Sequence, residues 1–224
     1  MMPDLTAGSL SGPFRIIDLS HTITPGMPVW PGSRGPESYP VATIDGDGYA
    51  EHSIRLSTHT GTHLDAPSHI IKDGLSLDCF EPGRFFGTGT MIEALAPADG
   101  VIGSDMLASH MPQIRNSDFV LFHTGWSRFW GQEGYDRGYP VLDAGATELL
   151  AGMTLKGVGL DCPSFDPPDS HDYPVHRKLL MAGILLVENM TNLHLLPASG
   201  FLISVLPLPV AGAEAFPVRA VAVL

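Results

Sequence analysis

Glycine and proline punctuate this chain along its whole length, 25 of one and 20 of the other in 224 residues. Proline fixes its own backbone and withholds a donor, while glycine opens the left-handed region, so both mark turns and corners. A chain of this kind favours short elements joined by irregular connections, and the apolar runs between the breaks read mostly as strands. The predicted strands are 14–19, 50–57, 88–92, 119–122, 158–161, 184–188, 201–206 and 218–223. A few helices are interleaved. Ser104 can cap one running to about His110. Asp143 can cap a second, with Ala146, Leu149, Leu150 and Met153 at helical spacing and Gly157 ending it. A third runs from His176 to Ala182, stopped by Gly183. Residues 25–40 read as a loop without regular structure.

Hydrophobic residues make up 44% of the chain and charged residues 16%, the balance of a globular protein with a continuous core. One domain is expected over 14–224, preceded by a Gly/Ser/Pro-rich tail at 1–13. A formal charge of −12 argues against nucleic acid or an anionic membrane as partner. No stretch reaches the roughly 18 apolar residues of a membrane span. Residues 1–17 lack the basic flank and apolar run of a secretory signal, so a cytoplasmic location is expected. Cys79 and Cys162 are too few for a disulfide framework, and Cys162, after the apolar Val158-Gly159-Leu160, is expected to be a buried reduced thiol.

Function concentrates between Thr58 and His69, where three imidazoles and a carboxylate fall within eleven positions. His59, Gly61, His63 and Asp65 are each two apart, so an extended segment presents all four on one face. Gly61 leaves room beside the backbone for an ion or substrate. The β-branched Thr58, Thr60 and Thr62 argue against a helix, and Pro67 ends any regular element. Imidazole and carboxylate donors suit Zn²⁺, and also Mn²⁺ or Fe²⁺. Three protein ligands, His59, His63 and Asp65, leave a coordination position for water, as a catalytic site needs. His69 is then either a fourth ligand or a free imidazole that moves a proton.

Other candidates carry weaker signals. Glu188 ends the apolar run Ile184-Leu185-Leu186-Val187, where a carboxylate is costly unless paired or metal-bound; a strand end reaching solvent is the plain alternative. His176 reads from its surroundings as an ordinary helix-face imidazole. Trp30, stiffened within Pro28-Val29-Trp30-Pro31, suits stacking on an aromatic substrate, core packing or a subunit contact. Trp126 and Phe129 are candidates for the same pocket. Asp166-Pro167-Pro168-Asp169 reads as a solvated turn, and His21, His52, His110, His123, His171 and His194 lack ligand spacing. The chain has no GxSxG elbow, no P-loop and no GxGxxG opening a helix.

The run HTGTHLDAPSH at 59–69 resembles the signature of the metal-dependent cyclase/hydrolase family that includes bacterial kynurenine formamidases and isatin hydrolases. Further segments resemble the family in order: Asp18-Leu19-Ser20-His21-Thr22-Ile23, Met27-Pro28-Val29-Trp30-Pro31-Gly32, Gly159-Leu160-Asp161, Pro174-Val175-His176-Arg177, Val187-Glu188-Asn189 and Pro217-Val218-Arg219-Ala220. The resemblance implies an α/β (α+β) single domain, a mixed β/β/α swivelling-type fold with a barrel-like sheet. It assigns His59, His63 and Asp65 to a metal, Zn²⁺ or Mn²⁺, and His69 to acid/base work. In two-metal members Asp65 would bridge to a second ion completed by His176 and Glu188.

The activity implied is hydrolysis of a small aromatic amide, N-formylkynurenine, to kynurenine and formate. His176-Arg177 stands where kynurenine formamidases tend to carry paired histidines, and 189–193 also differs, so opening of the cyclic amide of isatin is the alternative. A non-catalytic module that binds a metal or an aromatic ligand is the rival of another class. A homo-oligomer, dimer or tetramer, is expected on general grounds.

Overall fold

The computed structural model describes residues 14–95 and 100–224, and the tail expected at 1–13 lies outside them. In chain order the first strands are β1 (Ile16–Asp18), β2 (Glu37–Ala42), β3 (Glu51–Arg55), β4 (His63–Asp65), β5 (Phe86–Glu93) and β6 (Val101–Ile102). They are followed by β7 (Phe119–His123), β8 (Val141–Leu142), β9 (Gly157–Leu160), β10 (Leu185–Glu188), β11 (Ser199–Ser204), β12 (Ala215–Pro217) and β13 (Val221–Val223). The helices are α1 (Ile44–Asp47), α2 (Ser104–Ala108), α3 (Met111–Arg115), α4 (Ala144–Ala151) and α5 (Pro174–Met181).

Nine strands make one curled, half-barrel sheet in the order β1-β13-β11-β5-β7-β9-β10-β4-β12. Its centre, β5-β7-β9-β10, is parallel, and its two flanks are antiparallel. The central strands are apolar because both faces are covered. Along β7, Val120 and Phe122 enter the core beneath α4 and α5, while Phe119 and Leu121 enter the core on the other face. The same alternation along β10 sends Leu185 and Val187 to that second core and Leu186 to the helix side. Glu188, two residues beyond Leu186, therefore faces the helices. The mixed α/β single domain expected from the sequence is what forms.

Several elements differ from expectation, each for a local reason. Residues 37–42 pair with β3 although they contain Pro40; β3 is the neighbour of β2 among the described residues, and an edge strand of this kind accommodates proline. α4 is capped by Asp143 as expected, its Oδ1 accepting from the Ala146 amide at 2.6 Å, but it ends at Gly152 and Gly157 opens β9. Gly103, with Ser104 as the first helical residue, precedes α2, and α3 follows it. α5 begins at Pro174, whose fixed φ suits a first helical turn. β12, not anticipated, pairs with β4.

Beyond β4 the chain makes a 3₁₀ turn, Pro67–His69, then folds back so that the Ser68 amide donates to the Leu75 carbonyl at 3.1 Å. Gly74 closes this loop. A methyl group there would lie 2.7 Å from the Pro67 carbonyl carbon and 2.8 Å from the Ser68 nitrogen, both backbone. His21 stacks on Trp130 with ring centroids 3.9 Å apart, and its Nε2 is buried without a partner among the described residues.

Two outcomes follow. Gly74→Ala should lower stability by about 1–3 kcal/mol, because backbone must move to admit the methyl, read as a shifted urea midpoint. Burial lowers the His21 pKa to about 4, below the ordinary value of 6.5. The unfolded chain therefore takes a proton at His21 near pH 6.5 that the folded chain refuses until near pH 4, so stability falls as pH drops across that window. His21→Phe keeps the stack and should flatten that part of the stability–pH curve. An unchanged slope between wild type and variant would show that His21 does not contribute to it.

Candidate active site

β4 and β10 are antiparallel, with His63 opposite Glu188 and Asp65 opposite Leu186. Residues directly opposite share a face, so His63, Asp65 and Glu188 all project to the helix side of the sheet. α5 buries Val175, His176, Leu179 and Leu180 on the face it turns toward the sheet, which delivers His176 to the same place. His59 arrives differently. Expectation placed it on a strand with His63 and Asp65, but residues 56–62 lie outside any strand, with a turn at 58–59, a bend at 61–62 and a left-handed φ of 64° at Gly61. That conformation, which glycine adopts without strain, swings the imidazole of His59 back over the strand.

The polar atoms of these five side chains converge. His59 Nδ1 is 3.1 Å from His63 Nε2 and 3.0 Å from Asp65 Oδ1. His63 Nε2 lies 3.4 Å from Glu188 Oε2, and His176 Nε2 lies 3.1 Å from Glu188 Oε1 and 3.7 Å from Asp65 Oδ2. The other ring nitrogens are occupied elsewhere. His63 Nδ1 donates to the Gly61 carbonyl at 2.8 Å, and His176 Nδ1 donates to Asp166 Oδ2 at 2.7 Å. His59 Nε2 faces Glu214 Oε1 at 3.6 Å. With Nδ1 held in this way, His63 and His176 each turn Nε2 toward the buried carboxylates, where a neutral ring offers a lone pair to a cation and a protonated ring offers a charge.

Asp65 makes the consequence plain. It is fully buried, and neither carboxylate oxygen accepts a hydrogen bond from the described residues. Burial alone pushes the His63 pKa down, but the charges of Asp65 and Glu188 outweigh it and raise the group to about 9. Burial likewise opposes ionisation of Asp65, and the charges of His59 and His63 hold its pKa well below the usual carboxylate value. The cluster draws in positive charge. Two sets of three residues can hold a cation, His59 with Asp65 and His69, and His63 with Asp65 and Glu188, each with one donor atom per residue and these atoms within 4.8 Å of one another. Nitrogen and oxygen donors, an orphaned carboxylate shared by both sets and carbonyl or carboxylate partners behind the imidazoles fit a divalent cation.

His69, on the 3₁₀ turn, stacks obliquely against His59 with centroids 4.2 Å apart, and burial lowers its pKa. It opens onto a cavity of about 620 Å³, the size of a small-molecule site, whose floor includes His59, His63, His176 and Glu188. Trp30, Tyr135 and Tyr173 supply aromatic wall. Trp126 does not line it. Its indole donates to the Tyr135 carbonyl at 2.9 Å and packs on Phe129, so both residues stand behind the wall. Cys162 is buried as expected, and burial raises its thiol pKa well above the usual value, which removes it as a nucleophile.

Asp166 and Glu214 were not foreseen, nor were the wall residues Tyr135 and Tyr173. Asp166, expected in a solvated turn, is fully buried and also accepts from the Val175 and His176 amides at 2.9 and 3.0 Å. The signal was the start of α5, where Tyr173 and Pro174 offer no capping side chain, so an acceptor had to come from elsewhere. Glu214, which accepts from Thr58 Oγ1 at 2.6 Å, had no sequence signal. Arg177 is exposed and is not among the cavity-lining residues.

Comparison with known proteins finds relatives along most of the chain. Residues 17–167 match a family model described as "Putative cyclase". A kynurenine formamidase from Salinibacter ruber is 34% identical over 210 residues, 92% of this chain and 96% of the relative. Isatin hydrolase A from Ralstonia solanacearum superposes with a TM-score of 0.85 at 26% identity, covering 99% of this chain and 96% of that one. A structure described as a potential metal-dependent hydrolase with cyclase activity superposes at 0.78 with 26% identity, over 94% and 98% of the two chains. No helix among the described residues is long and apolar enough to cross a membrane.

Proposed function

The chain belongs to the cyclase family of metal-dependent hydrolases, and we propose that it cleaves the C–N bond of a small aromatic amide, N-formylkynurenine first among them. One observation carries this reading: the polar atoms of two buried carboxylates and three imidazoles converge at the floor of an aromatic-walled cavity. His59, His63 and Asp65 would hold one divalent ion, and Asp65, His176 and Glu188 a second, with Zn²⁺ the first candidate and Mn²⁺ the other. A cation there would supply Lewis-acid chemistry, polarising the amide carbonyl and lowering the pKa of water to about 7.

The chain's own groups do the rest. Trp30, Tyr135 and Tyr173 give flat surfaces on which the aryl ring of the substrate packs. The water oxygen adds to the formyl carbon, and the carbon–nitrogen bond then breaks. His69, open to the cavity, carries the proton released by water to the departing aniline nitrogen, leaving formate and an aryl amine. Asp166 and the Gly61 carbonyl keep His176 and His63 turned toward the carboxylates throughout.

Hydrolysis of a cyclic amide is the second reading, favoured by the superposition on isatin hydrolase A. The reactions differ only in whether the two products of cleavage stay joined.

Protein purified without chelators should hold one or two divalent ions per chain by elemental analysis and turn over N-formylkynurenine; faster opening of isatin would favour the second reading. His69→Ala should keep its metal and lose about 10²–10⁴-fold in kcat. Lost metal in that variant would make His69 a ligand instead, and unchanged turnover would sink its role as proton carrier. Asp166→Asn keeps an acceptor but removes the charge behind His176, and should weaken metal affinity about 10–100-fold in chelator competition.

A further inference from the structure

Asn189 follows Glu188 at the end of β10 and lines the cavity beside the carboxylate cluster. Its backbone has a left-handed φ of 55°, a conformation that costs energy in most residues and is held only where the surroundings impose it. Three hydrogen bonds impose it here. The Asn189 amide donates to the Cys162 carbonyl at 2.9 Å, the Asn189 carbonyl accepts from Thr62 Oγ1 at 2.6 Å, and Oδ1 accepts from the Tyr135 hydroxyl at 2.8 Å. Thr62 Oγ1 is itself held by the His21 amide at 2.9 Å, and the Tyr135 carbonyl by the Trp126 indole. Burial raises the Tyr135 pKa well above its usual value, so the phenol keeps the proton it donates.

With Oδ1 tied to Tyr135, the side-chain amide has one free end. Nδ2 has no partner among the described residues and is not among the solvent-shielded atoms, so its N–H groups open on the cavity. A rigid neutral donor next to a cation site is matched by a carbonyl oxygen. The scissile carbonyl is already addressed by the cluster. N-formylkynurenine and isatin each carry a second carbonyl, a ketone on the ring carbon ortho to the amide nitrogen.

We propose that Asn189 is the specificity-determining residue that donates through Nδ2 to this ortho ketone, making ortho-acyl anilides the substrate class, and that Tyr135 is a positioning residue that sets which end of the Asn189 amide faces the cavity. This rests on the amide-hydrolase reading above.

The metal-loaded enzyme is assayed with ortho-acetylformanilide and with formanilide, which lacks the ketone. Asn189→Gly removes the donor and tolerates the left-handed backbone, while Asn189→Asp keeps the shape and replaces the donor by an acceptor. In both variants kcat/KM should fall about tenfold further for the ortho-acyl substrate than for formanilide, the worth of one hydrogen bond to a neutral acceptor. Tyr135→Phe should show a smaller loss of the same preference, confined to KM. Equal falls on the two substrates would overturn the proposal. Binding of ortho-aminoacetophenone against aniline, followed by tryptophan fluorescence, tests the same contact without turnover. If wild type hydrolyses neither anilide, the proposed activity fails, and the inference stands only if wild type prefers the ketone-bearing amine and Asn189→Gly loses that preference.

Discussion

Everything at this site depends on two negative charges being buried side by side. A carboxylate taken out of water without a partner costs several kcal/mol, and Asp65 and Glu188 are both buried on the helix side of the sheet. Strand register brings them together. Pairing of β4 with β10 sets His63 against Glu188, and a slip of one residue would turn His63 and Asp65 into the opposite, apolar core where Leu64 now lies. That core therefore protects the site: Leu64, Leu185 and Val187 lock the register that the charged residues alone would resist. The apolar face holds the polar face in place.

The imidazoles are fixed by groups that touch no substrate. Asp166 reaches α5 from upstream and does two tasks at once, accepting from the amides of the helix's first turn and from His176 Nδ1. A capping interaction and a tautomer are thereby one structural event. Gly61 does the equivalent for His63, since the left-handed turn that swings His59 inward also presents the carbonyl that takes the His63 Nδ1 proton.

What was legible in the sequence follows the same division between local and distant causes. His63 and Asp65 were readable because alternation along a strand is a local rule. His59 was placed in the right cluster for a wrong reason, as the turn at Gly61 and not an extended segment brings it there. Glu188 announced itself as a carboxylate ending an apolar run, whereas His176 looked like any helix histidine and only the family resemblance pointed to it. Asp166 was misread because Pro167 and Pro168 describe their own exposed turn, and say nothing of the residue before them. Glu214 and Tyr135 meet the site through contacts made across 156 and 54 positions of chain, beyond the reach of local pattern.

The cavity divides along the same line. Its floor comes from the ends of β4 and β10, the turns beside β4 and one face of α5, all anchored to the two cores. Its walls, at 26–33, 131–136 and 163–173, lie largely outside helices and strands. Loops tolerate change that strands in a shared register do not. Tyr135 belongs to the wall and Asn189, at the end of β10, to the floor, so their hydrogen bond joins the two. Changes of substrate within such a fold should then begin where a wall residue grips a floor residue, ahead of any change in the residues that gather the charge.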